Sequence, residues 1–141
     1  AEAFTASLAS LAPARRVVTG ADADGLDEAM AALVHGVLAE HPGLCAVYSV
    51  GGGNRATVGA FAAAERVCHV FVGHDLDRDN VELLRAGALS AVLHHDLHAD
   101  MRRAMRQVMR HHSLLPGAPT SVAAAVEVVT PHNVPPRLLP E

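Results

Sequence analysis

Tryptophan is absent, tyrosine occurs once, and aromatic residues make up only 3 % of the 141 positions. A core without large rings has to be assembled from Ala, Val and Leu, which suits helices packed closely on a sheet. Lysine is absent too, and all 11 basic residues are arginine. That reads as coding bias toward Arg and Ala. Positive charge is scarce overall, with a formal net charge of -4. This argues against a dedicated nucleic-acid surface, which needs clustered cations to displace counterions. The one basic cluster, Arg102, Arg103, Arg106 and Arg110, falls at helical spacing and reads as a solvated helix face. Cysteine is nearly absent: Cys45 and Cys68 sit in apolar runs without CxxC or Cys/His spacing. They read as small buried thiols, not as a disulfide or zinc site. No run approaches the ~18–20 apolar residues of a membrane helix. The first residues lack the basic-then-apolar pattern of a secretory leader.

What is present is a half-hydrophobic chain that alternates helix-like and strand-like segments. Residues 2–11 look helical and stop at Pro13. Residues 15–19 are a short β-branched run, a strand candidate. Residues 20–25 form a turn that supplies a helix cap. Residues 26–40 place Met30, Leu33, Val34, Val37 and Leu38 on one stripe of a helix. Residues 44–50 are almost wholly apolar, as expected of a strand covered on both faces. A helix is expected over 54–65, a second buried strand over 67–73, and a short helix over 80–86. A third buried strand follows at 89–93, a long helix at 97–112, a last strand at 122–129 and a Pro-rich tail at 131–140. Strands separated by helices imply βαβ units and a three-layer α/β/α fold around a mostly parallel, Rossmann-like sheet. Ligands in such folds sit at the carboxyl ends of the strands. That rule selects the loops at 49–54, 74–77 and 94–96.

Three constellations carry chemistry. Ser49 and Val50 lead into Gly51, Gly52 and Gly53, then Asn54. The glycines allow a sharp turn and close approach of a ligand. The Asn54 amide offers a donor and an acceptor to a sugar hydroxyl. A plain tight turn with Asn54 as helix cap and a phosphate cradle at a helix N-terminus are competing readings. Neither a P-loop nor a GxGxxG spacing is present. His74 and Asp75 follow the second strand, and a carboxylate there can accept two hydroxyl hydrogen bonds or simply cap a turn. His94, His95, Asp96, His98 and Asp100 invite a metal reading. However, a strand ending at Leu93 spoils the helical pairing of His94 with His98, and a pocket-lining His is favoured. A metal-dependent enzyme using His94, His95 and Asp96 is a third, minor reading. No nucleophile set stands out, so neither catalytic residues nor a cofactor nor a metal is expected.

Taken together, the run 44–55, the strand and loop 70–75, the run 87–96 and the closing 129–135 resemble the effector domain of lactose-repressor-type (LacI/GalR) transcription regulators. They are similar also to the periplasmic sugar-binding proteins of the same fold. The resemblance implies two Rossmann-like lobes joined by a hinge, with sugar between them. The chain looks like the second lobe, a single domain over 1–141, with the first lobe and the DNA-reading helix-turn-helix lying outside it. By resemblance Asn54 and Asp75 would contact a carbohydrate, with Ser49, His74 and His95 as secondary candidates. His95 falls where relatives carry a hinge glutamine. The resemblance further implies a cytoplasmic homodimer, formed through the helices starting near Asn54 and Asn80, that contacts DNA only through an N-terminal domain and has no membrane association. The apolar face of the helix over 97–112 is expected to pack elsewhere in this lobe or on a second copy. The second reading is a periplasmic receptor delivering sugar to an ABC transporter.

Overall fold

A computed structural model describes residues 2–20 and 26–135. The elements in order are α1 (Glu2–Leu11), α2 (Asp27–Glu40), β1 (Ala46–Tyr48), α3 (Asn54–Ala63), β2 (Val70–His74), α4 (Arg78–Arg85), β3 (Ala91–His94), α5 (Leu97–His111) and β4 (Glu127–Val129). The turn expected over 20–25 lies outside the described residues except for Gly20, and the tail is described only to Pro135.

The four strands form one sheet in the order β1-β2-β3-β4. β1, β2 and β3 run parallel, and β4 returns antiparallel beside β3. This is the mixed α/β, mostly parallel sheet that the alternation predicts. Because consecutive parallel strands are neighbours, right-handed crossovers put α3 and α4 on the same face. The register aligns Val47 with Phe71, Gly73 with Val92, and Val92 with Val129. These positions point to the covered face, where Phe71, Val92 and Val129 are fully buried with Leu84 and Leu89. Leu76, Val81 and Leu83 complete that core. The intervening positions, Tyr48, Val70, Val72, His74 and Leu93, point to the other face and remain partly or wholly exposed.

Several sequence expectations need correction. Residues 15–19 are not part of the sheet, so β1 becomes an edge strand. The run 44–50 is therefore not covered on both faces: only Ala46–Tyr48 pairs, and none of its residues is buried. β2 starts three residues later than expected, leaving Val67 and Val70 exposed. Of the run 122–129 only Glu127–Val129 pairs, and Val122, Val126 and Val128 face solvent. The reason is common to all four: an apolar run marks what tolerates burial, while the ladder decides which part of it finds a partner. The helix over 97–112 forms as α5, but it buries no residue in this lobe. The first helix, α1, buries none either. α1 reaches the open face through Phe4, whose ring stacks on Tyr48 at 4.5 Å.

α2 packs along α3, the most extensive helix contact. One side chain locks that pair to the sheet. Glu65, beyond the end of α3, takes a left-handed φ of 51°, and Arg66 turns back toward the end of α2. Its guanidinium donates to the carbonyls of Leu38, His41, Pro42 and Leu44. A planar fork with five N–H groups suits this carbonyl cage at a negative helix end, which a single ammonium would fill less well.

Candidate functional site

The parallel strands deliver three loops to one edge of the sheet, as the βαβ arrangement requires. The loop after β1 turns at Gly53, whose φ is 78°. A Cβ there would lie 2.7 Å from Cγ and 2.8 Å from Cβ of Met30 on α2. The third glycine is therefore needed twice, for its left-handed backbone and for the closeness of α2. Thr57 closes the turn by donating its backbone N–H and its hydroxyl to the Gly53 carbonyl. Ser49 stays within its own loop, donating through Oγ to the Gly51 carbonyl at 3.2 Å.

Asn54 opens α3 and is buried, with only 5 % of its surface exposed. Its Nδ2 donates to Oδ1 of Asn80 at 2.8 Å, while its own Oδ1 is buried without a partner. Gly73 on β2 makes room for it, since a Cβ there would stand 3.1 Å from the Asn54 amide nitrogen. Asn80, equally buried, spends its Nδ2 on the carbonyls of His74 and Asp75 at 2.9 and 2.7 Å. Asp77 caps α4 by accepting from the Asn80 backbone N–H at 2.7 Å. This Asn54–Asn80–Asp77 network pins the loop after β2 to the start of α4.

The pinned loop holds Asp75 at a φ of 62°. A non-glycine residue in that region is uncommon, and Asp tolerates it better than most. Its backbone N–H donates to the Leu93 carbonyl, so the turn continues the β2–β3 pairing. The side chain itself is 68 % exposed. Across from it, Nε2 of His95 lies 3.5 Å from Oδ1 of Asp75, and Nδ1 lies 3.0 Å from Oδ2 of Asp100. The Asp100 hydrogen bond, and then the charges of Asp100 and Asp75, raise the His95 pKa above its ordinary value despite an opposing desolvation. Arg103 holds the far oxygen of Asp100 at 3.3 Å. His74 hydrogen-bonds through Nε2 to the Tyr48 hydroxyl at 2.7 Å. His94 turns inward, its Nδ1 accepting from the Leu76 backbone N–H at 3.3 Å.

Asn54, His74 and Asp75 line one hollow of about 130 Å³, together with Gly51–Gly53, Asn80 and the acidic residues Asp27, Asp77 and Asp79. Arg55 is the one arginine among its described lining residues, paired with Asp79 at 2.9 Å and with Glu82. Ser49 and His95 stand outside the lining; His95 reaches it only through Asp75. The sequence therefore points to the right loops, but the structure gives Asn54 a structural bond that the motif alone does not reveal. Asn80, Asp77 and Asp27 were not anticipated as site residues. The signal for the first two was local: Asp77 stands at capping distance before an amphipathic run, and its third neighbour is Asn80. Among the described residues no three ligating groups converge to hold a metal ion. Burial pushes the Cys68 thiol up, and both cysteines are free.

No family model matches the chain, and no curated protein matches it in sequence. Solved structures do match it. Over 95 % of this chain it superimposes on the carbohydrate transporter solute-binding protein from Agrobacterium radiobacter, in complex with D-arabinose, with a TM-score of 0.76 and 18 % identity. The myo-inositol-binding protein from Caulobacter, bound to myo-inositol, covers 90 % of it at TM-score 0.75 and 20 % identity. The sugar-binding protein of a sugar ABC transporter from Bacillus halodurans covers 92 % at TM-score 0.70 and 19 % identity. The chain spans 46 %, 44 % and 49 % of those three chains, so it corresponds to just under half of each. These likenesses establish the fold, that of a lobe of a periplasmic-binding-protein-like domain.

Proposed function

We propose that this chain is one lobe of a two-lobe binding domain for a small polyhydroxylated ligand, and that it works by binding without chemistry. The observation that carries this is Asp75. Its backbone is held in a left-handed turn by Asn80, and its carboxylate stays exposed at a strand end, beside His95 and the hollow. With its backbone already ordered, this carboxylate accepts two hydroxyl hydrogen bonds at a lower ordering cost than one on a free loop. The D-arabinose and myo-inositol complexes of the structural neighbours support a polyol as the ligand class. Calorimetry with a panel of sugars and cyclitols on the full-length protein tests it. Asp75→Ala is expected to lower affinity at least about tenfold, the loss of one charge-assisted hydrogen bond. Unchanged binding by the Asn54→Ala, Asp75→Ala double variant would sink the site.

The regulator reading is that ligand closes this lobe on a first lobe and shifts a cytoplasmic homodimer between DNA-binding states. Its support is the resemblance of the run 44–55 to lactose-repressor-type effector domains. The transport reading, an exported receptor for a permease, is supported by the neighbours, which include transporter solute-binding proteins. Upstream coding sequence separates them: a helix-turn-helix favours the regulator, and a signal peptide the receptor.

A further inference from the structure

Asp75 is held in two ways that differ in kind. Its backbone is set by bonds that no proton changes: Asn80 donates to the Asp75 carbonyl at 2.7 Å, and the Asp75 N–H donates to the Leu93 carbonyl at 3.0 Å. Its side chain meets a partner that does titrate, His95, on the short link between β3 and α5. Nε2 of that ring lies 3.5 Å from Oδ1 of Asp75, and Nδ1 lies 3.0 Å from Oδ2 of Asp100 in the first turn of α5.

Both ring nitrogens therefore face carboxylates. A neutral imidazole has one N–H and one lone pair, so it donates to one carboxylate and sets a lone pair against the other. Only the doubly protonated ring donates to both. When the ring loses a proton, the shorter contact keeps the remaining N–H. Asp100 is also fixed from behind, by Arg103 on Oδ1 at 3.3 Å and by a first turn whose cap, Asp96, accepts from the Ala99 N–H at 3.0 Å. Asp75 is thus the carboxylate that is released. The charged groups about the ring are Asp75 from the loop after β2, and Asp100 and Arg103 from α5. On β4, Glu127 pairs in register with His94, not with His95, and His94 turns inward to the Leu76 N–H. Two carboxylates against one guanidinium favour the charged ring, and the Asp100 hydrogen bond does most to raise its pKa.

We infer that His95 is a positioning residue for Asp75: its charged ring ties the carboxylate to α5 at the rim of the hollow, and loss of one proton frees the carboxylate and weakens polyol binding. This rests on the reading of the chain as a polyol-binding lobe and adds a pH control to that site. The bridge occupies one acceptor position on Oδ1. An ionised carboxylate has about four, so room for two ligand hydroxyls remains. What the ligand gains is a side chain that is ordered before it arrives. With His95 39 % and Asp75 68 % exposed, solvent screens the bridge, and the gain is a few-fold in affinity. A ligand that prefers the charged ring takes up protons when it binds at a pH where the ring is partly neutral.

Calorimetry with D-arabinose, myo-inositol and glucose on the full-length protein, in a series from about pH 6 to about pH 8.5, tests the inference across the histidine range. A sugar that binds is expected to bind about two- to fivefold tighter at the acid end. His95→Gln, which keeps an amide donor for one carboxylate but does not titrate, is expected to abolish that difference. Asp100→Asn is expected to keep the difference but move the fall in affinity to lower pH, because it removes the main support of the charged ring. A purely structural role for His95 would not move that midpoint. Wild-type titrations near neutral pH in buffers of different ionisation enthalpy are expected to show proton uptake on binding. Equal affinity across the series, or a pH dependence that survives in His95→Gln, overturns the inference and leaves the polyol reading standing. Proton release on binding overturns it as well. Binding of none of the three sugars at any pH overturns both.

Discussion

At the scale of single residues, the site depends on groups that touch no ligand. Asn80 bonds two carbonyls, one of them that of Asp75, and the side chain of Asn54 from the interior. Asn80→Ala leaves those partners unpaired in a buried place. It is expected to destabilise the fold by about 2–4 kcal/mol, as read from urea melts, and to weaken ligand binding by loosening the Asp75 turn. Gly53→Ala is expected to cost about 1–3 kcal/mol, because the new methyl meets the Met30 side chain at its root as well as along its length. Gly51→Ala, where a Cβ meets nothing within 4 Å, is the control and is expected to change little. The three glycines look alike in the sequence. Only their surroundings distinguish them, which is why the turn as a whole was legible and the essential glycine was not.

At the scale of elements, two joints hold the site together. The first is Arg66 at the end of α2. Arg66→Met removes four carbonyl contacts and is expected to cost about 2–3 kcal/mol, a fall in Tm of about 4–10 °C. The second is His95, which joins the loop after β2 to the first turn of α5 through Asp75 and Asp100. Its pKa is raised in the folded state, so the stabilisation is full below the ordinary histidine value of about 6.5 and fades as pH rises through the raised value. An NMR titration of the His95 ring is expected to give a pKa above about 6.5, and Asp100→Asn to return it toward that value. A titration unchanged by Asp100→Asn would remove this joint. The helices were legible from their stripes and stops, although α4 begins earlier than expected, at the cap that Asp77 provides.

At the scale of the whole molecule, the lobe is covered on one face and thin on the other. α5 leaves Leu97, Met101, Met105 and Val108 exposed, and α1 leaves Leu11 exposed. Of the two places expected for the apolar face of α5, this lobe or a second copy, this lobe does not bury it, since the helix has no buried residue here. Met101→Gln with Met105→Gln is therefore expected to leave Tm within about 2 °C, because exposed substitutions rarely exceed ~0.5 kcal/mol. Light scattering on the same variant checks whether that face also drives self-association. A large drop in Tm would mean that the face is packed in solution.

The sequence by itself determined the alternation of helices and strands between residues 26 and 111 and, through it, the parallel sheet and the edge where the loops gather. It could do so because helix stripes, glycine stops and apolar runs are local features with their own periods. Only the tertiary structure decided which parts of those runs pair, why residues 15–19 stay outside the sheet, and what Asn54 does. Pairing and burial depend on neighbours far along the chain. Asn54 lies 26 residues from Asn80, and no local pattern records that their amides meet or that one oxygen is left over.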